Sequence, residues 1–249
     1  MTWRSVVAVL LAGLGTLALR AQSQRETPLP WPAPVNDNGV LDFLTFNQLE
    51  GRTGGPNTAF RWDAQGWIGT DFNKLWFKSE GRVAHGTMDD GDHEILYDRP
   101  IPHLRYLDWQ AGVRTDLDSG PSRVWGAVGV EGLAPYFFDI EPTLYVRDGG
   151  HVAGRLSGSY NLRITQRLIL QPQIELNFYS KRDPARGIGT GLSNLDSGLR
   201  LGYQISRKFA PYVGFTYTDS YGETARFARQ AVGLSSCSRC FVFGIWAWR

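Results

Sequence analysis

The sequence holds only two cysteines, Cys237 and Cys240, in a lone C-x-x-C. Without a second such pair, a structural zinc site has too few thiolates. In an exported chain the default for the pair is a disulfide. Long hydrophobic runs are missing as well: after the first twenty residues no segment is apolar over enough length to cross a bilayer as a helix. Should the mature chain cross a membrane, it must do so as a closed barrel, because unpaired backbone groups are too costly in lipid. There is no surplus of basic charge either. Removing residues 1–21 takes away Arg4 and Arg20 and leaves 24 Lys+Arg against 24 Asp+Glu. That balance excludes a polybasic nucleic-acid footprint, so no nucleic-acid partner is expected. Nor is there a G-x-S-x-G nucleophile elbow. Ser157 and His151 are six residues apart on one extended segment, roughly 20 Å at strand rise and too far to react together. No enzyme is expected.

The first 21 residues have the layout of a secretory signal peptide. Arg4 precedes an uncharged run of 14 residues, Val6–Leu19, and cleavage is expected after Ala21. The run is short for a membrane anchor, which needs about 20 residues. Residues 22–41 are Pro-rich (Pro28, Pro30, Pro32, Pro34) and read as a flexible periplasmic lead-in. Residues 42–249 read as an outer-membrane β-barrel domain. Charged residues are 20% of the chain and aromatics 13%. Aromatic rings collect where an apolar wall meets lipid headgroups.

From Asp42 onward the chain breaks into segments of about ten residues that alternate polar and apolar, the length and period of tilted membrane strands. In 107–117, Leu107, Trp109, Ala111, Val113, Thr115 and Leu117 share one face. Asp108, Gln110, Gly112, Arg114 and Asp116 share the other. Similar patterns occur at 59–69, 74–83, 136–146, 151–162, 167–179, 195–205 and 209–218, with weaker ones at 42–52, 93–101, 123–134 and 240–248. The fold class is therefore all-β, an antiparallel transmembrane barrel of about 12 strands, with 10 as the alternative. Short links such as 70–73 and 206–208 alternate with links that are mostly longer, such as 84–92, 118–122, 180–194 and 219–239. With the N-terminus inside, the long ones fall on the cell exterior. Pro172 and Pro211 each remove a ladder donor and predict a bulge or local irregularity. A soluble sandwich or lipocalin-like barrel would turn the same pattern inside out, with its apolar face inward.

In a membrane barrel the polar face lines the lumen. It would carry Asp63, Glu80, Asp108, Asp116, Glu131, Asp139, Glu141, Glu175 and Asp196, with Arg61, Lys78, Arg114, Arg155 and Arg200. Opposite charges in so narrow a space should pair. That gives either a salt-bridged plug or a polar route for a cation. The sparse soft donors concentrate in one stretch: His85, Met88, Asp92 and His93 lie within nine residues, in what reads as an outer loop. Imidazole, thioether and carboxylate together suit a borderline or soft metal such as copper. An acidic surface loop with incidental histidines is the plainer reading.

From Phe46 to about Arg229 the chain resembles the copper resistance protein B family. The phrases that carry the resemblance include Phe46-Asn47-Gln48-Leu49-Glu50-Gly51-Arg52, Phe60-Arg61-Trp62-Asp63-Ala64-Gln65-Gly66-Trp67 and Asn73-Lys74-Leu75-Trp76-Phe77-Lys78-Ser79-Glu80-Gly81. Further ones are Gly132-Leu133-Ala134-Pro135-Tyr136, Thr165-Gln166-Arg167-Leu168-Ile169-Leu170-Gln171-Pro172 and Phe209-Ala210-Pro211-Tyr212-Val213-Gly214. The resemblance implies an outer-membrane protein that binds copper as cargo and contributes to copper tolerance. Its expected partners are outer-membrane lipid, copper ions and a periplasmic copper-binding protein. A structural or general-diffusion barrel without metal preference is the alternative. Residues 22–45 contain neither Met nor His, unlike the Met- and His-rich segment common in the family, so any copper site is expected on the barrel. The ending Trp246-Ala247-Trp248-Arg249 and the stretch Ser235–Cys240 also depart from the family pattern.

Overall fold

The computed structural model describes residues 39–54, 58–84, 86–104, 106–118, 121–230 and 238–249. The expected leader, most of the Pro-rich segment, His85 and Cys237 lie outside them. Twelve long strands follow one another: β1 Leu41–Thr53, β2 Thr58–Gly69, β3 Lys74–Ala84, β4 Thr87–Pro100, β5 Leu107–Asp116 and β6 Arg123–Ala134. Then come β7 Phe138–Arg147, β8 His151–Ser159, β9 Leu168–Tyr179, β10 Gly191–Tyr203, β11 Phe209–Ser220 and β12 Arg239–Trp248. Each pairs antiparallel with its sequence neighbours, and β12 pairs back to β1, which closes the barrel. Helix α1, Gly222–Gln230, lies between β11 and β12. No described helix is long and apolar enough to cross a membrane, which says nothing against a barrel.

The strands form because their side chains alternate between two media. Outward positions are apolar and exposed: Phe215 is 68% exposed, Val128 61% and Phe243 52%. Inward positions are polar and buried, with Glu50 at 0% and Arg200 at 1%. Water would demand the opposite arrangement. In lipid a lone charge at mid-wall costs about 2–4 kcal/mol. Outward charges among the described strands sit near strand ends, as at Asp42, Arg99, Asp219 and Arg239.

Three features differ from the expected outline. The links do not sort cleanly by length. Residues 180–190 and 221–230 share one end of the barrel, here called the loop end. That end also has the close approach of Ala84 to Thr87 across the β3–β4 ladder and the three-residue connection Asp148–Gly150. Residues 84–92 are therefore not a long loop: β4 starts at Thr87 and β3 and β4 pair almost to their tips, Ala84 opposite Thr87. Second, the prolines cause no register shift, since Pro172 stays opposite Leu199 and Pro211 opposite Ile245. The irregularity expected at Pro172 falls on the partner strand. The β8 ladder stops at Ser159 and resumes with the two-residue piece Leu162–Arg163, leaving a gap beside the proline's missing donor. Pro211 sits just past the last β10–β11 pair, Gly202 opposite Tyr212. Third, bulges occur where no proline marks them, between Phe46 and Gln48 and between Arg82 and Val83.

Candidate functional site

The inward alternation gathers the ionisable residues into the lumen, where they form a ladder of alternating sign across it. Arg200 on β10 donates to Glu50 on β1 through Nε at 2.9 Å and Nη2 at 3.0 Å. Glu50 also accepts Arg52 Nε at 2.8 Å and the Tyr212 hydroxyl at 2.9 Å. Arg52 turns its Nη1 to Asp196 at 2.7 Å, and Asp196 accepts Arg61 Nη1 at 3.2 Å. Arg61 reaches Glu175 at 3.0 Å and Glu80 at 3.5 Å. Arg155 joins Glu80, at 3.3 Å, to Asp92. Asp92 is shared with Arg114 at 2.7 Å, and Arg114 holds Asp116 at 2.7 Å. Such alternation is what a confined, poorly hydrated space requires, since each buried ion must have its counter-ion to offset lost hydration.

The ladder ends on a strap. Residues 180–190 fold over the loop end, where Arg186 Nη1 binds Asp116 at 2.7 Å and its other terminal nitrogen binds Asp118. Burial works against the Arg186 charge, but Asp118 and Asp116 outweigh it and hold the guanidinium above its ordinary value. Asp183 on the same strap accepts Arg123 at 2.9 Å. From the other side Thr224 of α1 accepts the Gly189 amide at 2.8 Å. Replacing Arg186 by alanine should loosen the strap without unfolding the barrel, because Asp116 keeps Arg114 and the Trp125 indole N–H at 2.9 Å. We expect trypsin to cut after the exposed Lys181 and Arg182 several-fold faster in Arg186→Ala, with the barrel core intact by gel mobility; equal cutting rates would mean that the pairs do not hold the strap.

Toward the opposite, turn end the lumen opens into a cavity of about 370 Å³. Six carboxylates line it, from Asp63, Glu80, Glu131, Asp139, Glu141 and Glu175, against two cations, Lys78 and Arg155. Lys78 is divided between Glu131 and Glu141, at 2.7 Å each. Asp63 accepts only a long contact from Asn47 Nδ2, 3.4 Å, and Asp139 one from Ser159 Oγ, 3.5 Å. Neither has an ion pair among the described residues. The vestibule therefore carries a surplus of negative charge that its own side chains do not neutralise. Trp76 Nε1, buried in its wall, also lacks a hydrogen-bond partner among the described residues.

All nine carboxylates expected on the polar face lie on the inner side. Six line the vestibule, Asp116 and Asp196 belong to the ladder, and Asp108 pairs with Lys74 at 2.7 Å. Glu50, Glu94, Asp98 and Arg52 are inner residues that the alternation did not single out. The His/Met/Asp stretch is arranged differently from an outer-loop site. Met88, Asp92 and His93 belong to β4, and adjacent strand residues point to opposite faces. Asp92 points inward and is spent on Arg114 and Arg155. His93 points outward, its Nδ1 3.1 Å from Ser79 Oγ, which also accepts Trp62 Nε1 at 3.1 Å. Asp92 and His93 therefore do not converge. Among the described residues no three His, Cys, Asp or Glu stand close enough to hold a metal ion. His151 is at the loop end, beside Asp183 and Arg186. Cys240 is buried on the inner face of β12 and disulfide-bonded.

A closed antiparallel barrel with an apolar outer wall and a charge-filled lumen is a transmembrane barrel of the outer-membrane type. Its fold is similar to that of the NanC porin, with a TM-score of 0.53 over 84% of this chain and 100% of that one at 15% identity. Residues 40–248 match the family described as Copper resistance protein B precursor (CopB), and the chain belongs to that family. It is 40% identical over 196 residues to the Copper resistance protein B homolog of Pseudomonas syringae pv. tomato. It is 39% identical over 196 residues to Copper resistance protein B of Escherichia coli. Each match covers 79% of this chain and 66% of the relative, so the chain spans just under two thirds of the length of the relatives it matches.

Proposed function

We propose that this protein contributes to copper resistance from the outer membrane of a Gram-negative-type bacterium, holding copper as cargo in the acidic vestibule rather than catalysing a reaction. The observation that carries this reading is the surplus of carboxylates in the lumen of a chain from a copper resistance family. By the usual asymmetry of such barrels, the strap and α1 face the exterior and the vestibule opens to the periplasm. The donors it offers are oxygens, and because no three of the described carboxylates stand within chelating reach of one another, they would draw in a hydrated dication by charge rather than cage a bare one. Oxygen ligands suit Cu(II), whereas Cu(I) calls for thiolate or thioether. With the ladder and strap closing the far side, cargo enters and leaves by the periplasmic mouth, within reach of a periplasmic copper-binding protein. The filled lumen argues against the alternative of a wide general-diffusion channel.

The test is a titration of the folded, detergent-solubilised barrel with Cu(II), with Zn(II) and Ca(II) as controls. Saturable Cu(II) binding with preference over Ca(II) is expected. A folded barrel that takes up no Cu(II) would end the proposal.

A further inference from the structure

We propose that the outer wall of β9–β12, below α1, is a binding site for a phosphorylated, multiply acylated lipid of the outer leaflet. Phe241, Phe215, Leu199 and Pro172 are register partners across these four adjacent strands and form one apolar row. The next row toward the loop end is Arg239, Tyr217 and Ser197, again register partners. Both rows line a shallow recess in the wall. It arises because the large rings of Phe215 and Phe241, edge to face at 5.5 Å, stand beside the small Ser197 and Pro172. An apolar recess on a lipid-facing wall takes hydrocarbon, and its position below a headgroup-level row suits an acyl chain.

The rim supplies the charge. Arg239 is exposed on the outer face, and α1, packed on the ends of β10 and β11, exposes Arg226 and Arg229. Arg226 pairs with Glu223 at 3.0 Å. Arg229 and Arg239 have no ion pair among the described residues. Asp219, the nearby outward carboxylate, is tied to the Tyr217 hydroxyl at 3.0 Å. Guanidinium is the side chain best matched to phosphate, two N–H groups to two oxygens. Arg239, unpaired in the row above the apolar recess, thus fits one amphiphile, phosphate on the rim and acyl chain in the recess. The inference rests on the outer-membrane orientation proposed above.

The intact barrel, refolded in neutral detergent, should be challenged with purified lipid A, with dephosphorylated lipid A and with inorganic phosphate, and the bound mass read by native mass spectrometry. Lipid A should be retained. Removing its phosphates, or the change Arg239→Glu, should weaken retention roughly tenfold. Leu199→Trp, which fills the recess while leaving the rim intact, should weaken it too. Equal retention by parent and variants, indifference to the phosphates, or capture of inorganic phosphate without lipid would overturn the site. A chain that folds as a soluble monomer without detergent would instead remove the membrane reading beneath it.

Discussion

Replacing Glu50 by alanine should destabilise the barrel by about 3–5 kcal/mol, the usual cost of stranding a buried ion. Glu50 is fully buried and is the acceptor for Arg200, Arg52 and the Tyr212 hydroxyl together. Its loss leaves Arg200, itself 1% exposed, facing Gln173 at 2.8 Å with no carboxylate on it. The opposite ladder end should be more tolerant, because Arg186 belongs to a strap that can move into water. The position also closes the barrel, since Glu50 lies opposite Gly244 on β12 and Arg61 on β2. Urea titrations of folding in lipid vesicles, followed by tryptophan fluorescence, would measure the effect. A shift below about 1 kcal/mol, the range of solvated surface pairs, would show that water reaches this part of the lumen and that the ladder is not a dry plug.

That residue also marks the limit of what periodicity can reveal. Strict alternation counted from Phe46 puts Glu50 on the same face as Phe46, which points outward. The bulge between Phe46 and Gln48 inserts one residue and moves Glu50 and Arg52 to the lumen. Nothing local announces that bulge. Where no bulge intervenes, as on β5, sequence alternation and structure assign the same residues to the same faces. The start of β4 was obscured for another reason. Met88–Asp92 is rich in Asp and Gly, poor β formers, yet pairing with β3 carries it into the sheet. The outer-loop reading of Met88, Asp92 and His93 failed with it. The Arg186 strap had no sequence signal, because its carboxylates lie about 70 residues away in the chain.

Exchanging Asp63 and Asp139 for asparagine should weaken Cu(II) binding at least about tenfold, or about 1.4 kcal/mol. These two are the informative vestibule carboxylates because neither sits in an ion pair. Neutralising them strands no arginine or lysine, so the variant should fold like the parent. Neutralising Glu131 and Glu141 instead would strip Lys78 of both partners and confuse binding with stability. Asp63 and Asp139 also hold the part of the negative charge that the lumen leaves uncompensated, the part available to an incoming dication. His93→Ala provides the contrast. Its ring lies outside the barrel wall against Ser79, separated from the vestibule by the sheet itself. Its removal should leave the affinity unchanged. The reverse result, a full loss with His93→Ala and none with the paired asparagines, would move the metal to the outer face and leave the vestibule as a wet cap on the plug.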